Sequence, residues 1–411
     1  MINAKLVSPR IFSLGSARQP EQINRAQDIT GDEKLTQTQI YEIGRELKVG
    51  VHKEIPAVTW GLTQLEYGNV AMYRDIACLL DPATSTDDAS INLKSMRTTA
   101  FTIAAYLTDD DGTFKGTVVF PALRVDGFSI DIGNPEAIIT RKFSFVGEDI
   151  RIVKDKYLAY ETATVVGVGS AETNLDIVLT GTPLEIAAGK YIYSVYLSRG
   201  TDIDEVLEDE TKTVDGTYSY NNSTKTITID DVKEGDIYKV FYASATAYTD
   251  LWTDDDSDEV ALYADCVDIF LKVGTSEEIH RLQTINIDAK FARTDYKEIG
   301  NPNVVQRGSK DEKVTVKLDR YNEGFSLEDI LASDTTYCDI NPRDFSANIQ
   351  LLIKIYTDNT KTTFKMGYLV SNLSPTNINV GQMVQDYQKI GTTLESDNLK
   401  ISEVESEVAF A

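Results

Sequence analysis

The sequence predicts a mainly β protein in three parts, with a related β-sandwich or partial-barrel module near each end and a separate β-sandwich between them. Two observations carry this prediction. Short alternating apolar and polar runs, rich in Tyr, Thr, Val and Ile, recur along the 411 residues, and such runs are typical of strands with one wet face. A block of sequence near the start also returns near the end, in a chain longer than one core usually serves.

An internal repeat defines the two end modules. One register, with an offset of 256 residues and no gap, matches pairs of identical residues: Ile29 and Ile285, Lys34 and Lys290, Glu42-Ile43-Gly44 and Glu298-Ile299-Gly300, Val49 and Val305, Val58 and Val314, Leu62 and Leu318. A second stretch repeats at an offset of 250, from Tyr106 and Phe114 to Tyr356 and Phe364. We therefore expect modules over residues 8–150 and 262–411.

Within each module the pattern predicts strands, one short helix and a hairpin. Residues 283–291 and 313–318 alternate as strands do. The segment Val70–Ala77 and its counterpart Phe325–Leu331 have the spacing of a short amphipathic helix. In the first module, Asp109–Gly112 is expected to form the hairpin turn, because its Gly allows a positive φ.

The centre, residues 151–261, repeats neither end. It contains short apolar runs separated by Gly, Asn and Asp: residues 175–179, 191–197, 225–229 and 238–242. That spacing predicts a separate β-sandwich. The acidic run Asp254–Glu259 is expected to be a solvated linker to the second module.

Composition excludes several classes of function. A net charge of −25 argues against gripping nucleic acid, which needs clustered Lys and Arg. No secretory signal and no apolar run of about 20 residues is present, so we expect no membrane partner. The two histidines, His52 and His280, stand in no catalytic motif, and the three cysteines form no metal-binding pattern. The acidic clusters lack EF-hand spacing. We expect no enzyme, cofactor or metal.

The strongest candidate site is the Glu-Ile-Gly end of the first strand and the polar residues after it. A glycine at this position can have a purely structural role, because it allows a left-handed backbone conformation. The following segments, Arg45–Ala57 and Asn301–Lys313, are nevertheless long for loops, and long loops are usually functional. The second is basic within an acidic chain and suits an acidic partner surface. The candidate interface residues are Glu42, Ile43, Gly44, Val49, Glu298, Ile299, Gly300, Val305, Arg307 and Lys310.

These motifs resemble a known family. The segments Leu282–Asp288, Arg293–Gly300 and Val314–Leu318, with Tyr41–Gly44 and Val58–Leu62 in the first copy, are similar to the tail tube (major tail) proteins of tailed phages. The resemblance covers both modules and leaves the centre untouched.

The resemblance implies an assembly. Tail tube proteins form six-fold rings from one module per chain, the rings stack through a long loop, and DNA passes down an acidic lumen without specific binding. With two modules per chain, three chains would make a pseudo-six-fold ring. The partners would be other copies and other tail proteins, in a virion tail assembled in the host cytoplasm. The centre would project outward as decoration.

Two alternatives stay open from the sequence. The chain can form another ring component of a phage tail, such as a baseplate or terminator ring. Such rings do not stack indefinitely. It can also be a β-rich adhesion protein whose centre binds carbohydrate, although the missing signal peptide counts against secretion.

Overall fold

The computed structural model is mainly β, as the sequence predicted, with almost all strand pairs antiparallel. It describes residues 10–14, 21–23, 26–34, 37–40, 50–53, 57–68, 70–77, 90–96, 101–108, 114–134, 136–147, 150–166, 173–186, 188–199, 202–209, 217–245, 261–273, 275–278, 282–297, 304–321, 349–381 and 389–410. The predicted helix Phe325–Leu331, the turn Asp109–Gly112 and the linker Asp254–Glu259 lie outside these residues.

The first repeat contains eleven strands, one α-helix and a short 3-10 helix, Leu93–Met96, among its described residues. In chain order the strands and the α-helix are β1 Arg10–Leu14, β2 Glu21–Gln22, β3 Ala26–Lys34, β4 Gln37–Ile40, β5 Gly50–Lys53, β6 Ala57–Leu65, α1 Ala71–Ala77, β7 Ile91–Asn92, β8 Phe101–Thr108, β9 Phe114–Ile132, β10 Thr140–Gly147 and β11 Arg151–Lys154. Helix α1 confirms the helix predicted in this copy, and its Tyr73 and Ile76 are fully buried.

The centre forms its own seven-stranded unit, which we call the insert. Its strands are β12 Tyr157–Thr164, β13 Thr173–Val178, β14 Ile192–Arg199, β15 Asp202–Asp209, β16 Thr217–Asn221, β17 Thr226–Val232 and β18 Ile237–Ser244. They are arranged in the order β12-β18-β14-β15-β16-β17-β13. Val195, Ile227 and Val240 are fully buried in the insert's own core, so the alternating runs read from the sequence are its strands.

The second repeat contains eight strands in the described residues. They are β19 Val267–Val273, β20 Thr275–Glu278, β21 Leu282–Lys297, β22 Val304–Tyr321, β23 Ile349–Tyr356, β24 Phe364–Gly381, β25 Lys389–Ser396 and β26 Asn398–Ser402. The hairpin of β23 and β24 was predicted from the sequence. Its turn is closed by a hydrogen bond from the Thr357 N–H to the Thr363 carbonyl (3.0 Å).

The two repeats share strand order and irregularities. The first has the order β3-β6-β10-β9 and the second the order β21-β22-β25-β24. The first strand of each carries a β-bulge at the same place, Gln27 and Gln283. The last strand of each carries another, at Asp126 and Thr376. Because bulges are retained features of a fold rather than accidents, the sequence repeat is a repeat of topology.

One detail of the sequence alignment was wrong. The hairpins pair Thr108 with Phe114 and Tyr356 with Phe364. Since Phe114 and Phe364 are equivalent, Tyr356 takes the place of Thr108 and not that of Tyr106. The sequence match of the two tyrosines missed a two-residue shift between β8 and β23.

Each repeat is a two-layer sandwich. Strands β9 and β24 are long enough to leave the first layer and enter the second, where they join β2-β1-β8 and β11, or β20-β19-β23 and β26. Alternate residues of β6, among them Val58, Trp60 and Leu62, point between the layers. One continuous apolar core runs through both repeats.

The outer face of the second layer is covered differently in the two repeats. In the first, Ala104 and Val119 pack against Leu158 and Phe241 of the insert. In the second, the equivalent Leu352 and Leu369 lie under the C-terminal segment with Val408 and Phe410. The insert therefore lies on the side of the sandwich away from the first layer. Strand β11 pairs with β9, so the first repeat extends a few residues beyond the expected boundary at 150.

Candidate assembly interface

The two repeats join edge to edge through β9 and β21. Six residue pairs are in antiparallel register, from Ile132 opposite Ile285 to Gly127 opposite Lys290. The first layers thereby merge into one sheet of eight strands in the order β3-β6-β10-β9-β21-β22-β25-β24. We call this the long sheet.

Apolar contacts on one face and polar contacts on the other secure this junction. Ile285 and Phe128 are each only 2% exposed on the core side. On the opposite face the Asn286 amide donates to the Asp131 carboxylate. Arg293 donates its Nε–H to the Val125 carbonyl (2.7 Å) beside the bulge of β9. The junction thus combines strand pairing and buried apolar contacts with side-chain hydrogen bonds.

Both ends of the long sheet carry one half of that same junction. Strand β3 is the counterpart of β21, and residues 377–381 of β24 are the counterpart of residues 127–131 of β9, which pair with β21. Within the described residues, β3 has β6 as its one strand partner and residues 377–381 have β25. Free edges of this kind are templates for strand addition.

Apolar side chains at the two ends of the long sheet are less buried than the equivalent side chains at the internal junction. Ile29, equivalent to the buried Ile285, is only half-buried. Ile378, equivalent to the buried Phe128, is also only half-buried. Each therefore keeps apolar area that the internal junction removes from water in its counterpart.

A buried polar network also bridges the repeats. Arg141 and Glu66 are both fully buried, with Nη1 and Oε1 3.4 Å apart, and the Arg141 Nε–H donates to Gln64 Oε1 (2.9 Å). Glu66 accepts hydrogen bonds from the Gly68 N–H (2.8 Å) and from the Tyr368 hydroxyl of the second repeat (3.1 Å). Burial opposes the charge of Arg141, but Glu66 and the surrounding phenols raise its pKa overall. A buried ion pair held by these hydrogen bonds favours one specific geometry.

Helix α1 makes a second link between the repeats. The Val70 N–H donates to Glu403 Oε1 (2.9 Å), and Arg74 Nη2 lies 3.5 Å from Glu403 Oε2. The ring of Tyr73 contacts that of Tyr368 with centroids 6.3 Å apart. The helix of the first repeat is thus anchored on the second.

The face of the long sheet that points away from the core is polar and carries both signs of charge. Among the described side chains, its acidic residues are Asp28, Asp32, Asp131, Asp288, Asp319 and Glu395, and its basic residues are Arg124, Lys142, Lys290, Lys313 and Lys317. Three lysines are paired on this face: Lys142 with Asp131 (3.0 Å), Lys290 with Asp288 (3.1 Å) and Lys313 with Glu395 (2.6 Å). We call it the polar face.

The segments predicted as long loops are largely strands. Residues 291–297 of β21 and 304–313 of β22 pair with each other beyond the sheet, and β4 pairs with β5 at the equivalent place. Each repeat thus carries a two-stranded arm. The loop prediction was wrong for Gly50–Lys53 and Val304–Lys313, because a ribbon that leaves the sheet is held by backbone pairing and needs no alternating apolar residues.

The candidate residues chosen from the sequence fall mostly outside the described chain. Those outside it are Glu42, Ile43, Gly44, Val49, Glu298, Ile299 and Gly300. Val305, Arg307 and Lys310 lie in β22, within the arm. Lys313, at the base of the arm, pairs with Glu395 of its own chain. Their part in assembly stays a prediction.

The described part of the chain contains no group of three or more His, Cys, Asp or Glu side chains arranged to hold a metal ion. None of its helices has the length and apolarity needed to cross a membrane. Cys266 is a buried free thiol, and burial raises its pKa.

Sequence reasoning missed the residues at the junction. The pairing of β9 with β21 is made by backbone groups, which leave no motif. Arg141 had a readable signal, because it occupies an apolar position of the alternating strand Thr140–Gly147, where an unpaired charge is costly. Its partner Glu66, 75 residues earlier, could not be identified without the fold.

Comparison with solved structures finds similarities at low sequence identity. No family model matches the chain, and no curated protein matches it. A chain of the PVC sheath–tube complex, an extracellular contractile injection system, is 14% identical over 39% of this chain and 99% of its own, with a TM-score of 0.28. The SPP1 tail tube is 11% identical over 36% of this chain and 87% of its own, with a TM-score of 0.27. The cap that terminates the anti-feeding prophage tube is 13% identical over 37% of this chain and 100% of its own, with a TM-score of 0.26.

Proposed function

We propose that this chain is a structural subunit of a phage-type tail tube, in which three copies close a ring of six repeats and rings stack around a lumen. The observation that carries the proposal is the internal junction of β9 and β21. The counterparts of its two halves, at the ends of the long sheet, have no further strand partner within the described residues.

A junction of this kind is head-to-tail. The edge that the first repeat offers differs from the edge that the second repeat receives, so copies added in the same way continue the sheet. Such interfaces close into a ring when the rotation per unit divides the circle, and otherwise form open helical filaments. Closure into a barrel removes both free edges. The number of six repeats per ring comes from the resemblance to tail tube proteins.

The dimensions of such a barrel suit a duct. Eight strands in the long sheet and three chains give 24 strands. At a strand spacing of about 4.8 Å and a tilt of about 40°, the backbone diameter is about 48 Å. The lumen left inside the side chains is wide enough for a hydrated DNA duplex.

The polar face is assigned to the lumen in this proposal, because the other face of the long sheet is occupied by the core. Three of the four lysines whose side chains are described on this face have carboxylate partners there. These pairings reduce the positive charge available to displace the counterions of DNA, which suits passage without binding.

The arms and the insert take the remaining positions. The insert packs on the outer side of the second layer, which in a ring of this kind is the outside, as expected for decoration. The arms extend beyond the edge of the long sheet in both repeats, where they can reach the next ring.

Electron microscopy of the purified full-length chain tests the proposal. Rings with six inner lobes and three insert densities support it, and long stacks of such rings support a tube. Rings that never stack favour a baseplate or terminator component instead. A monomer at every concentration contradicts ring formation altogether.

A further inference from the structure

The second edge of each sandwich also differs between the repeats. In the second repeat the edge strand β26 is covered by β7 of the first, with Ile401 opposite Ile91 and Lys400 opposite Asn92. Ile401 and Ile91 are each 1% exposed. This contact, between the second layer of one repeat and the segment after α1 of the other, is separate from the junction of β9 and β21.

The counterpart edge in the first repeat has no second strand partner among the described residues. Strand β11 occupies the place of β26 and pairs with β9. Ile152 stands where Ile401 stands in the second repeat. Its side chain is 74% exposed, whereas the next residue, Val153, is buried beneath the insert. A large apolar side chain on an unpaired strand edge is a typical docking point.

We propose that the β11 edge with Ile152 is the docking surface for the second repeat of another copy of this chain. This inference rests on the proposed ring and adds a second contact between its chains. Ile152 would then be covered by the neighbour as Ile401 is covered by Ile91 within the chain.

The sequence supplies a matching segment in the second repeat. Ile340-Asn341 repeats Ile91-Asn92, and Phe345 stands where Met96 does. Ile340 lies outside the described residues, so the match is one of sequence. Within the chain, β7 pairs with β26. Ile340 follows Ile91 at an offset of 249 residues, which is also the offset that relates Ile152 to Ile401. The segment at Ile340 is therefore the chain's own candidate to cover Ile152 of a neighbour.

The two contacts are not identical in charge. Lys154 occupies the position of Glu403, which binds the Val70 N–H and Arg74 within the chain. The contact between chains is therefore expected to reproduce the strand pairing and the buried isoleucines but not that ion pair. This difference distinguishes the contact between chains from the contact within a chain.

Cysteine pairs test the geometry directly. In a full-length background without the three native cysteines, the control pair Ile91→Cys with Ile401→Cys should cross-link within one chain on oxidation. The pair Ile152→Cys with Ile340→Cys should instead cross-link between chains and give covalent multimers. If the control closes and the second pair yields only monomers under assembling conditions, the proposal is wrong.

A substitution tests the energetic role. Ile152→Asp should raise the concentration for half-maximal assembly by about tenfold or more, because assembly would bury an unpaired charge, with an unchanged circular dichroism spectrum. The matched control Val178→Asp replaces a 66% exposed valine of the insert and should assemble as the wild type does. Equal assembly of both variants would overturn this inference and leave the ring intact. A wild-type chain that never assembles would remove the ring and this inference together.

Discussion

The hydroxyl of Tyr368 donates a hydrogen bond to Glu66 Oε2 across 3.1 Å, although the two residues are 302 positions apart and belong to different repeats. Both groups are buried, and Glu66 also contacts Arg141. The polar network therefore holds the two repeats in one relative orientation. A ring needs that orientation to be constant, because small errors per subunit prevent closure.

Removing this hydroxyl should weaken the fold measurably. Tyr368→Phe leaves a buried carboxylate with one donor fewer, and we expect the free energy of unfolding to fall by about 1–2 kcal/mol. Chemical denaturation measures the change. The matched control is Tyr220→Phe, because the Tyr220 hydroxyl has no hydrogen-bond partner in the described residues, and its effect should be near zero. Equal effects of the two substitutions would contradict a bridging role for Tyr368.

Buried phenols should make the fold sensitive to alkaline pH. Burial raises the pKa of Tyr368 and Tyr106 above the ordinary value of 10.0. The folded chain therefore keeps protons that the unfolded chain releases near pH 10. Their contribution to stability is complete below about pH 10 and is lost as the pH rises above it, by up to about 1.4 kcal/mol per pH unit for each phenol.

Denaturation between pH 8 and 11 checks this dependence. The variant Tyr106→Phe should be less stable near neutral pH, since it loses the hydrogen bond to the Leu158 carbonyl (2.9 Å). Above pH 10 its stability should fall less steeply than that of the wild type. Parallel curves for the two proteins would show that this phenol is not protected from ionisation by the fold.

A lysine at the free edge should block the sheet from growing. Ile378→Lys places a charge at the counterpart of Phe128, and edge lysines are a known deterrent to strand addition. The monomer should keep its melting temperature within a few degrees, because a half-buried lysine can extend its ammonium into water. Analytical ultracentrifugation should show loss of assembly. Val404→Lys, at an exposed apolar position away from this edge, should assemble normally, and identical behaviour of both would refute an edge contact.

Neutralising the carboxylates of the polar face should make the protein bind DNA. Asp131→Asn, Asp288→Asn and Glu395→Gln together free three lysines from their partners. Fluorescence anisotropy with duplex DNA should detect binding at low salt that weakens as salt rises. A control with three acidic residues of the insert neutralised, Asp176, Asp230 and Glu234, removes the same charge elsewhere. Equal binding by both variants would reflect net charge alone.

Much of the fold was readable from the sequence because local patterns encode it. Alternating apolar residues predicted strands β21 and β24, and helical spacing predicted α1. The repeat register of 256 was correct even to the bulges at Gln27 and Gln283. These features depend on residues near each other in the chain.

What the sequence did not reveal depends on contacts between distant residues or on backbone alone. The pairing of β9 with β21 places Ile132 opposite Ile285, and no side-chain pattern specifies which edges meet. The arms were mistaken for loops because a ribbon outside the core needs no apolar alternation. Tyr356 was misaligned because the hairpin register is set by bulges. The exposure of Ile152 is meaningful only beside its buried counterpart Ile401.

The most direct test is a cross-link at the free edges of the long sheet. The internal pair Ser129 and Asp288 has the counterparts Asn379 and Asp32, which are both exposed in the single chain. In a background without native cysteines, Asp32→Cys with Asn379→Cys should join successive chains, while Ser129→Cys with Asp288→Cys closes within one chain. Mass spectrometry should find a covalently closed species of three chains of 45.6 kDa each. An open ladder of increasing length, or a monomer that does not cross-link beside a closed control, would contradict the ring.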